Sequence, residues 1–152
     1  MSDDDRSFRT SRTLPHPPAA VYGAFASPGL LADWWGPEGF TNRFEQFDFT
    51  VGGRWRFTMH GPDGQAYPNE SLFEALEPPH RLVIRHDCAP HFTLTVGLAP
   101  VAAGTHLTWL QVFDDARTAQ AVRAIVEPAN EQNLDRLGRV LARAATKQAG
   151  SP

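Results

Sequence analysis

Residues 115–147 read DARTAQAVRAIVEPANEQNLDRLGRVLARAATK, and their apolar side chains recur at spacings of three, four or multiples of these. This period is typical of an amphipathic helix that buries one face. Pro128 lies inside the stretch and has no backbone N–H, so we expect it to kink or break the helix. If the residues before this helix form a sheet, the helix has to cover that sheet.

The segment before that helix, from about residue 43 to residue 113, consists of short alternating runs separated by turns. Residues 54–60 read RWRFTMH, in which apolar and polar side chains alternate as in a strand with one buried face. Residues 61–64 read GPDG, a strong turn sequence because Pro fixes φ and Gly tolerates a positive φ. Consecutive strands joined by short turns predict an antiparallel meander.

The N-terminal part supplies the remaining elements. Residues 1–5 are acidic and are expected to form a disordered tail, whereas residues 7–14 alternate like a first strand. Two short helices follow, the second with Ser27 as N-cap and Pro28 in its first turn. The sequence therefore predicts a single α+β domain over residues 6–148. Its curved antiparallel sheet wraps around a long C-terminal helix, with two short helices after the first strand.

Composition excludes several classes of protein. The chain has 152 residues, the length of one domain, and a net charge of −3 with interspersed charges. It has no basic stripe, so no nucleic-acid partner is expected. Cys88 is the single cysteine and cannot form an internal disulfide, which fits a reducing compartment. Without a signal peptide or an apolar run of ~20 residues, we expect a cytoplasmic protein with no membrane span.

A sheet curved around one helix leaves a cavity, and large apolar side chains are its expected lining. For each of them, filling of the core is the commoner role and stays the alternative to ligand contact. Trp35, beside Gly36 and Pro37, is favoured as a ligand contact in a mobile lid over the cavity mouth. The candidate ligand-binding residues are Trp35, Trp55, Phe57, Met59, Tyr67, Phe73, His86, Trp109, Val126 and Asn130.

Four polar side chains have two interpretations each. His86 shares the parity of the apolar residues in its strand, so it is either a satisfied core histidine or a cavity group that orients a ligand or acts as a general base. Arg56 is expected to point outward, in a surface ion pair with Glu70. A bulge that reversed the strand parity would instead point Arg56 into the cavity. There it would form, with Glu70, a polar pocket for an anionic group. Asn130 is expected to bond the carbonyl freed by Pro128, with a ligand as the alternative.

Motifs for metal binding and nucleophilic catalysis are absent from the sequence. The six histidines form no His-x-x-x-His pair and have no Cys or carboxylate at ligand spacing, so neither a metal nor a cofactor is expected. There is no Gly-x-Ser-x-Gly motif, no phosphate-binding loop and no Cys with a nearby His. These absences weigh against an enzyme and leave the question open.

Several stretches, taken together and in this order, resemble the SRPBCC superfamily, also called START-like or Bet v 1-like. Within it they are most similar to the branch named for the heat-shock-protein-90 ATPase activator homologue. These stretches are VYGAF at 21–25, LADWWGP at 31–37, VGGRWRF at 51–57, MHGPDG at 59–64, YPNE at 67–70, PPHRLV at 78–83 and NEQNLDRL at 130–137. The resemblance implies a helix-grip fold, in which a curved antiparallel sheet grips the long C-terminal helix over an elongated cavity.

Three functional hypotheses follow. The favoured one is binding of a small hydrophobic molecule, such as a lipid, an aromatic or a polyketide-like compound, in the cavity. The alternatives are a cavity enzyme of cyclase or hydrolase type, which would use His86 or the pair Arg56 and Glu70, and a protein-interaction or stress-related chaperone-accessory module. The last strand is apolar on both faces, which a homodimer would explain as well as ordinary packing does.

Overall fold

The computed structural model describes residues 3–149 and confirms the predicted α+β helix-grip architecture. Seven strands and three α-helices follow one another in the expected order. They are β1 (Ser7–Leu14), α1 (Pro18–Ala26), α2 (Pro28–Trp34), β2 (Thr41–Phe47), β3 (Arg54–His60), β4 (Ala66–Glu77), β5 (Arg81–His86), β6 (Phe92–Val101), β7 (Gly104–Phe113) and α3 (Ala116–Ala149). Within these residues, no helix combines the length and the apolar character needed to cross a bilayer.

The sheet is a meander with one long-range pairing. Its strand order is β1-β7-β6-β5-β4-β3-β2, and every neighbouring pair is antiparallel. Register shifts interrupt β2 between Phe44 and Gln46, and β4 between Phe73 and Ala75. Such bulges bend a strand and increase its twist, which helps the sheet to curve around α3.

Proline residues in the first turn and an N-cap side chain account for where the two short helices begin. Pro17 is the N-cap of α1, and Pro18 occupies its first turn, where a missing N–H costs no hydrogen bond. The Ser27 side chain accepts a hydrogen bond from the Leu30 N–H at the start of α2. Trp34 closes the pair, since its Nε1 donates to the Ala24 carbonyl at 3.0 Å. The predicted starts of both helices are thus observed.

Helix α3 runs through Pro128 as one helix, so of the two predicted outcomes the break is wrong and the kink stays a prediction. In an α-helix the missing N–H of Pro128 leaves the Ala124 carbonyl without its partner. Pro128 and Ala124 are both exposed, so water can satisfy that carbonyl. Asn130 does not bond it, because its Nδ2 donates to Gln111 Oε1 at 3.0 Å instead.

The N-terminus differs from the expected disordered tail. Asp3–Arg6 form a single 3-10 turn, while residues 1–2 lie outside the described residues. Arg6 donates to the Phe113 carbonyl at 3.2 Å, and Gln120 Nε2 donates to the Asp5 carbonyl at 2.7 Å. Contacts with the end of β7 and the start of α3 therefore order a segment whose acidic composition alone predicts disorder.

The two halves of α3 are covered differently. The second half buries Leu134, Leu137 and Leu141 in the main core between sheet and helices. In the first half, Val126 is only half-buried and Ile125 is 71% exposed. Nearer the start of α3, Ala119 is buried against Phe8 and Phe113, so the space that side chains leave unfilled lies beneath residues 125–133.

Candidate functional site

A cavity of about 280 Å³ occupies this space. The sheet contributes its floor, the first half of α3 its roof, and the loop after α2 part of its rim. Its lining comprises Trp35, Pro37, Met59, Asn69, His86, Phe92, Leu94, Trp109, Gln111, Ile125, Val126, Ala129, Asn130 and Asn133. In the part of the chain that the structure describes, none of these lining side chains is an Asp, Glu, Lys or Arg.

Four of the lining side chains carry aromatic rings. Trp35 and Trp109 are in contact, with ring centroids 6.0 Å apart and planes tilted by 38°. His86 and Phe92, which also line the cavity, stack with centroids 4.5 Å apart and an angle of 9° between the rings. Flat rings in the lining suit a planar apolar molecule, because offset and stacked arrangements are the preferred contacts of aromatic groups.

Uncharged polar groups interrupt this apolar lining. Asn130 Nδ2 donates to Gln111 Oε1 at 3.0 Å, which links the helix to β7 across the cavity. The Asn133 Oδ1 accepts from the Gly36 N–H at 3.1 Å and fixes the loop after α2. Such isolated polar groups in an apolar cavity give a ligand its orientation.

Trp109 has a polar atom with no partner. The buried side-chain atoms without a hydrogen bond, among the described residues, are Tyr22 Oη, Asn42 Oδ1, Trp55 Nε1 and Trp109 Nε1. Of these four residues, Trp109 alone lines the cavity. Its ring lines the cavity, whereas its indole N–H is buried and not exposed to the cavity space.

His86 is buried, as the parity of its strand predicts, and protein groups contact both of its ring nitrogens. Nδ1 lies 2.8 Å from the Pro90 carbonyl, and Nε2 lies 2.7 Å from Asn69 Oδ1. Burial lowers the pKa of His86, against the opposing effect of the hydrogen bond to Pro90. The ring therefore stays uncharged near neutral pH, and a neutral ring can donate to only one of the two oxygens that its nitrogens face.

This lowered pKa predicts a specific loss of stability in acid. As the pH falls below about 6.5, His86 takes up a proton in the unfolded chain before it does so in the folded one, which favours unfolding. Above that pH both states hold a neutral ring, so the effect vanishes. Between about pH 7.5 and 5.5, urea unfolding should show a larger stability loss for the wild type than for His86→Gln. Equal losses would contradict a lowered pKa.

The loop that carries Trp35 is tied down, which is at odds with the expected mobile lid. The Arg136 guanidinium on α3 donates to five backbone carbonyls, those of Asp33, Trp35, Gly36, Pro37 and Phe40. The distances run from 2.9 to 3.2 Å. Asn42 Nδ2 adds a bond to the Trp35 carbonyl at 2.8 Å. Trp35 is thus held against the cavity by α3 and β2.

The predicted site residues separate into two groups. Six of them line the cavity, namely Trp35, Met59, His86, Trp109, Val126 and Asn130. Trp55, Phe57 and Phe73 lie instead in the fully buried core. Tyr67 pairs with Met59 across the β3–β4 hairpin but is 40% exposed and contacts the Phe40 ring. These four side chains are outside the cavity.

Arg56 and Glu70 form no polar pocket in the cavity. They face each other in register on the outer face of β3 and β4. Arg56 Nε donates to Gln46 Oε1 at 3.1 Å, while Glu70 lies 3.8 Å from Arg54 Nη1. The bulge in β2 leaves the alternation along β3 intact, so Arg56 keeps its outward direction.

Several groups at the site were not predicted from the sequence. Gln111 has the parity of Trp109, and Asn133 lies three residues after Asn130, so both could have been found from spacing. Cys88 was expected to lack a nearby histidine, yet its Sγ lies 3.5 Å from His86 Nε2. The two residues are only two positions apart, so their spacing in the sequence could have indicated this contact.

Other surfaces offer weaker candidate sites. A groove of about 620 Å³ on the outer face of the sheet is lined by exposed polar groups such as Arg9, Ser11 and Thr108. Water already satisfies such groups, so the groove lacks the buried, orienting polar atoms of the inner cavity. Across residues 3–149, no three His, Cys, Asp or Glu side chains converge as a metal site would require.

Comparison with known proteins identifies relatives of this fold. A solution structure from Arthrobacter aurescens is 24% identical, with a TM-score of 0.86, over 94% of this chain and 90% of that one. A crystal structure from Rhodobacter sphaeroides is 26% identical, with a TM-score of 0.82, over 91% and 94%. One from Nitrosomonas europaea is 19% identical, with a TM-score of 0.84, over 95% and 99%.

No curated protein matches the sequence. A family model does, however, and it covers residues 15–142, from the end of β1 into the second half of α3. The matched region contains the loop held by Arg136 and every lining residue of the cavity. The chain therefore belongs to the family described as Activator of Hsp90 ATPase homolog 1-like protein.

Proposed function

We propose that this protein binds a small, largely apolar molecule in the cavity beneath α3. The observation that carries the proposal is a space of about 280 Å³ with aromatic walls and a few uncharged polar groups. An apolar cavity of about 150 Å³ can hold benzene, so this one suits a molecule of one or two rings. Each Å² of apolar surface removed from water contributes about 25 cal/mol, and the polar groups select the orientation.

Catalysis has less support than binding. A general base needs a nitrogen that can reach the substrate, and both His86 nitrogens already face protein groups. The other proposed catalytic pair, Arg56 and Glu70, lies on the opposite face of the sheet. A ligand carrier or sensor therefore fits the geometry better than a cyclase or hydrolase.

The unpaired thiol of Cys88 supports a reducing compartment such as the cytoplasm.

A protein partner is the second candidate. The family's name refers to activation of a chaperone ATPase. On the outer face of β7, Leu110 and Val112 are only half-buried, and a homodimer or another protein would cover them. This hypothesis needs no ligand in the cavity, so one experiment can separate the two.

Filling the cavity should abolish ligand binding without unfolding the protein. In Val126→Phe the new ring occupies the space beneath α3, whereas Ala124→Phe places the same ring on an exposed position of the same helix. Native mass spectrometry of the purified proteins, followed by denaturation, should show an apolar compound with the wild type and with Ala124→Phe. The Val126→Phe protein should carry none.

The same spectra give the oligomeric state. An empty wild type that forms a dimer, with no thermal shift from a library of lipids and aromatic compounds, would reject the binding proposal in favour of the interaction module. Retention of the compound by Val126→Phe would place its binding site elsewhere. Circular dichroism of both variants verifies that they are folded.

A further inference from the structure

The amide side chains of Gln111 and Asn130 form a singly bonded pair in the cavity lining. One hydrogen bond, from Asn130 Nδ2 to Gln111 Oε1, joins them at 3.0 Å. Such a bond uses one nitrogen and one oxygen, so the free ends of the pair are always one donor and one acceptor. These free ends are Gln111 Nε2 and Asn130 Oδ1, and neither has a hydrogen-bond partner within residues 3–149.

Both free ends are accessible from the cavity. Gln111 is 7% and Asn130 is 8% exposed, yet neither free end is among the fully buried side-chain atoms that lack a partner. Each atom therefore keeps some accessible surface. Gln111 lies on the inner face of β7, a strand that β1 and β6 flank. Because both side chains line the cavity and protein encloses them otherwise, a molecule in the cavity can reach these atoms.

Asn133 adds a second free donor to the lining. Its Oδ1 accepts from the Gly36 N–H at 3.1 Å, which orients the amide and leaves its Nδ2 without a partner among the described residues. Asn69, in contrast, uses both ends, since its Oδ1 faces His86 Nε2 and its Nδ2 donates to the Tyr67 carbonyl. The amide groups with a free end are thus concentrated where β7 and α3 border the cavity.

The lining also restricts the charge of a ligand. None of the described lining side chains is a Lys, Arg, Asp or Glu. A carboxylate or ammonium group would lose its hydration here without gaining a counter-charge, and burial of an unpaired charge is strongly unfavourable. An uncharged amide group avoids this cost. It presents a carbonyl beside an N–H, which complements one free donor and one free acceptor.

We propose that the ligand is an uncharged, planar molecule whose amide-type group bridges Gln111 Nε2 and Asn130 Oδ1. This inference rests on the proposed binding function and specifies its ligand class. The ligand carbonyl accepts from Gln111 Nε2, and the adjacent ligand N–H donates to Asn130 Oδ1. Lactams and cyclic imides fused to an aromatic ring belong to the class. Fatty acids and other carboxylates do not, because they would bring an uncompensated negative charge.

Carbostyril and coumarin are matched probes for this proposal. Both are planar, uncharged fused bicycles with a carbonyl at the same ring position, but a ring oxygen in coumarin replaces the N–H of carbostyril. In equilibrium dialysis at neutral pH, carbostyril should bind the wild type about fivefold more tightly than coumarin, as one net hydrogen bond predicts. Naphthoate, a charged bicycle of similar size, should bind at least about tenfold more weakly than carbostyril.

The variant Asn130→Leu removes the acceptor at nearly constant volume. The advantage of carbostyril over coumarin should then fall to about one. Gln132→Leu is the matched control, because Gln132 is also an amide on α3, but its Oε1 accepts from the Glu38 N–H outside the cavity lining. This control should keep an advantage of about fivefold. Circular dichroism verifies that both variants are folded.

Side-chain amide signals in ¹⁵N–¹H spectra of the wild type give a readout that does not depend on a variant. Both probes carry the carbonyl, so both should shift the Gln111 signals. Only carbostyril carries the N–H, so it should shift the Asn130 signals more than coumarin does. Unmoved signals of Gln111 and Asn130 with bound carbostyril would contradict the bridge.

The outcomes separate the two proposals. If no probe binds the folded wild type and native mass spectrometry finds it empty, the binding function itself is rejected and the ligand class falls with it. If the wild type carries a compound but binds no probe, or binds coumarin as tightly as carbostyril, the binding function stands and the amide bridge is wrong. An advantage of carbostyril that persists in folded Asn130→Leu also overturns the bridge. Binding of naphthoate as tight as that of carbostyril would overturn the assignment of an uncharged ligand.

Discussion

We expect Trp55→Ala to lower the free energy of unfolding by about 3–5 kcal/mol. The Trp55 side chain is 0% exposed, and its ring stacks on Phe57 with centroids 4.2 Å apart. Trp35 contacts it edge to face at 5.1 Å. Truncation would remove this apolar surface and leave a void that neighbouring rings can only partly refill. Urea unfolding monitored by far-ultraviolet circular dichroism measures the effect.

Tyr67→Ala is the matched control for this prediction. Tyr67 is an aromatic residue on the next strand, proposed from the sequence as part of the same lining, but it is 40% exposed. Its truncation should cost less than about 1 kcal/mol, as is usual at the surface. Comparable losses for Trp55→Ala and Tyr67→Ala would mean that Trp55 is not a core residue and that the assignment of core and cavity is wrong.

The contrast between Trp55 and Met59 shows what alternation can predict. Both side chains have inward parity on β3, and the sequence identifies that face correctly. The position along the strand then decides whether a side chain lies in the core or lines the cavity. That position depends on which half of α3 lies above it, and no local pattern contains this information.

The elements themselves were predictable because their signals are local. Alternation in β3, the Ser27 cap and the repeat in α3 each depend on residues a few positions apart. The pairing of β1 with β7 joins the first and the last strand of the chain and has no such signal. Pro128 shows that a strong local signal can also mislead. It predicts a helix break, yet α3 continues through it, because the carbonyl that lacks a donor lies on an exposed part of the helix.

Among polar residues, parity predicted directions better than partners. His86 points inward and Arg56 outward, as their strands indicate. The partners of His86, Asn69 and Pro90, come from another strand and from a loop. The sequence did not indicate the role of Arg136, because an arginine outside the apolar face of a helix is usually solvated. Its role becomes visible only when the loop after α2 is placed beside it.

Replacing this arginine, in Arg136→Met, is expected to lower the free energy of unfolding by about 3 kcal/mol. Its guanidinium bonds five backbone carbonyls of residues 33–40. Several of these carbonyls are partly buried, so methionine would leave them without donors while filling a similar volume. Arg136→Lys should restore only part of the loss, because one ammonium group cannot reach five acceptors that a planar fork spans.

The neighbour Arg139 provides the control, since among the described residues its exposed side chain forms an ion pair with Glu38 alone. Arg139→Met should cost less than about 1 kcal/mol, as exposed ion pairs usually do. Arg136→Met should also lower the amount of apolar compound that native mass spectrometry finds with the protein, because the same bonds hold the Trp35 carbonyl and thus one wall of the cavity. A variant as stable as Arg139→Met, with unchanged binding, would show that the loop keeps its place without Arg136. The position of Trp35 would then depend on Asn42, Asn133 and the packing of its ring against Trp34 and Trp55.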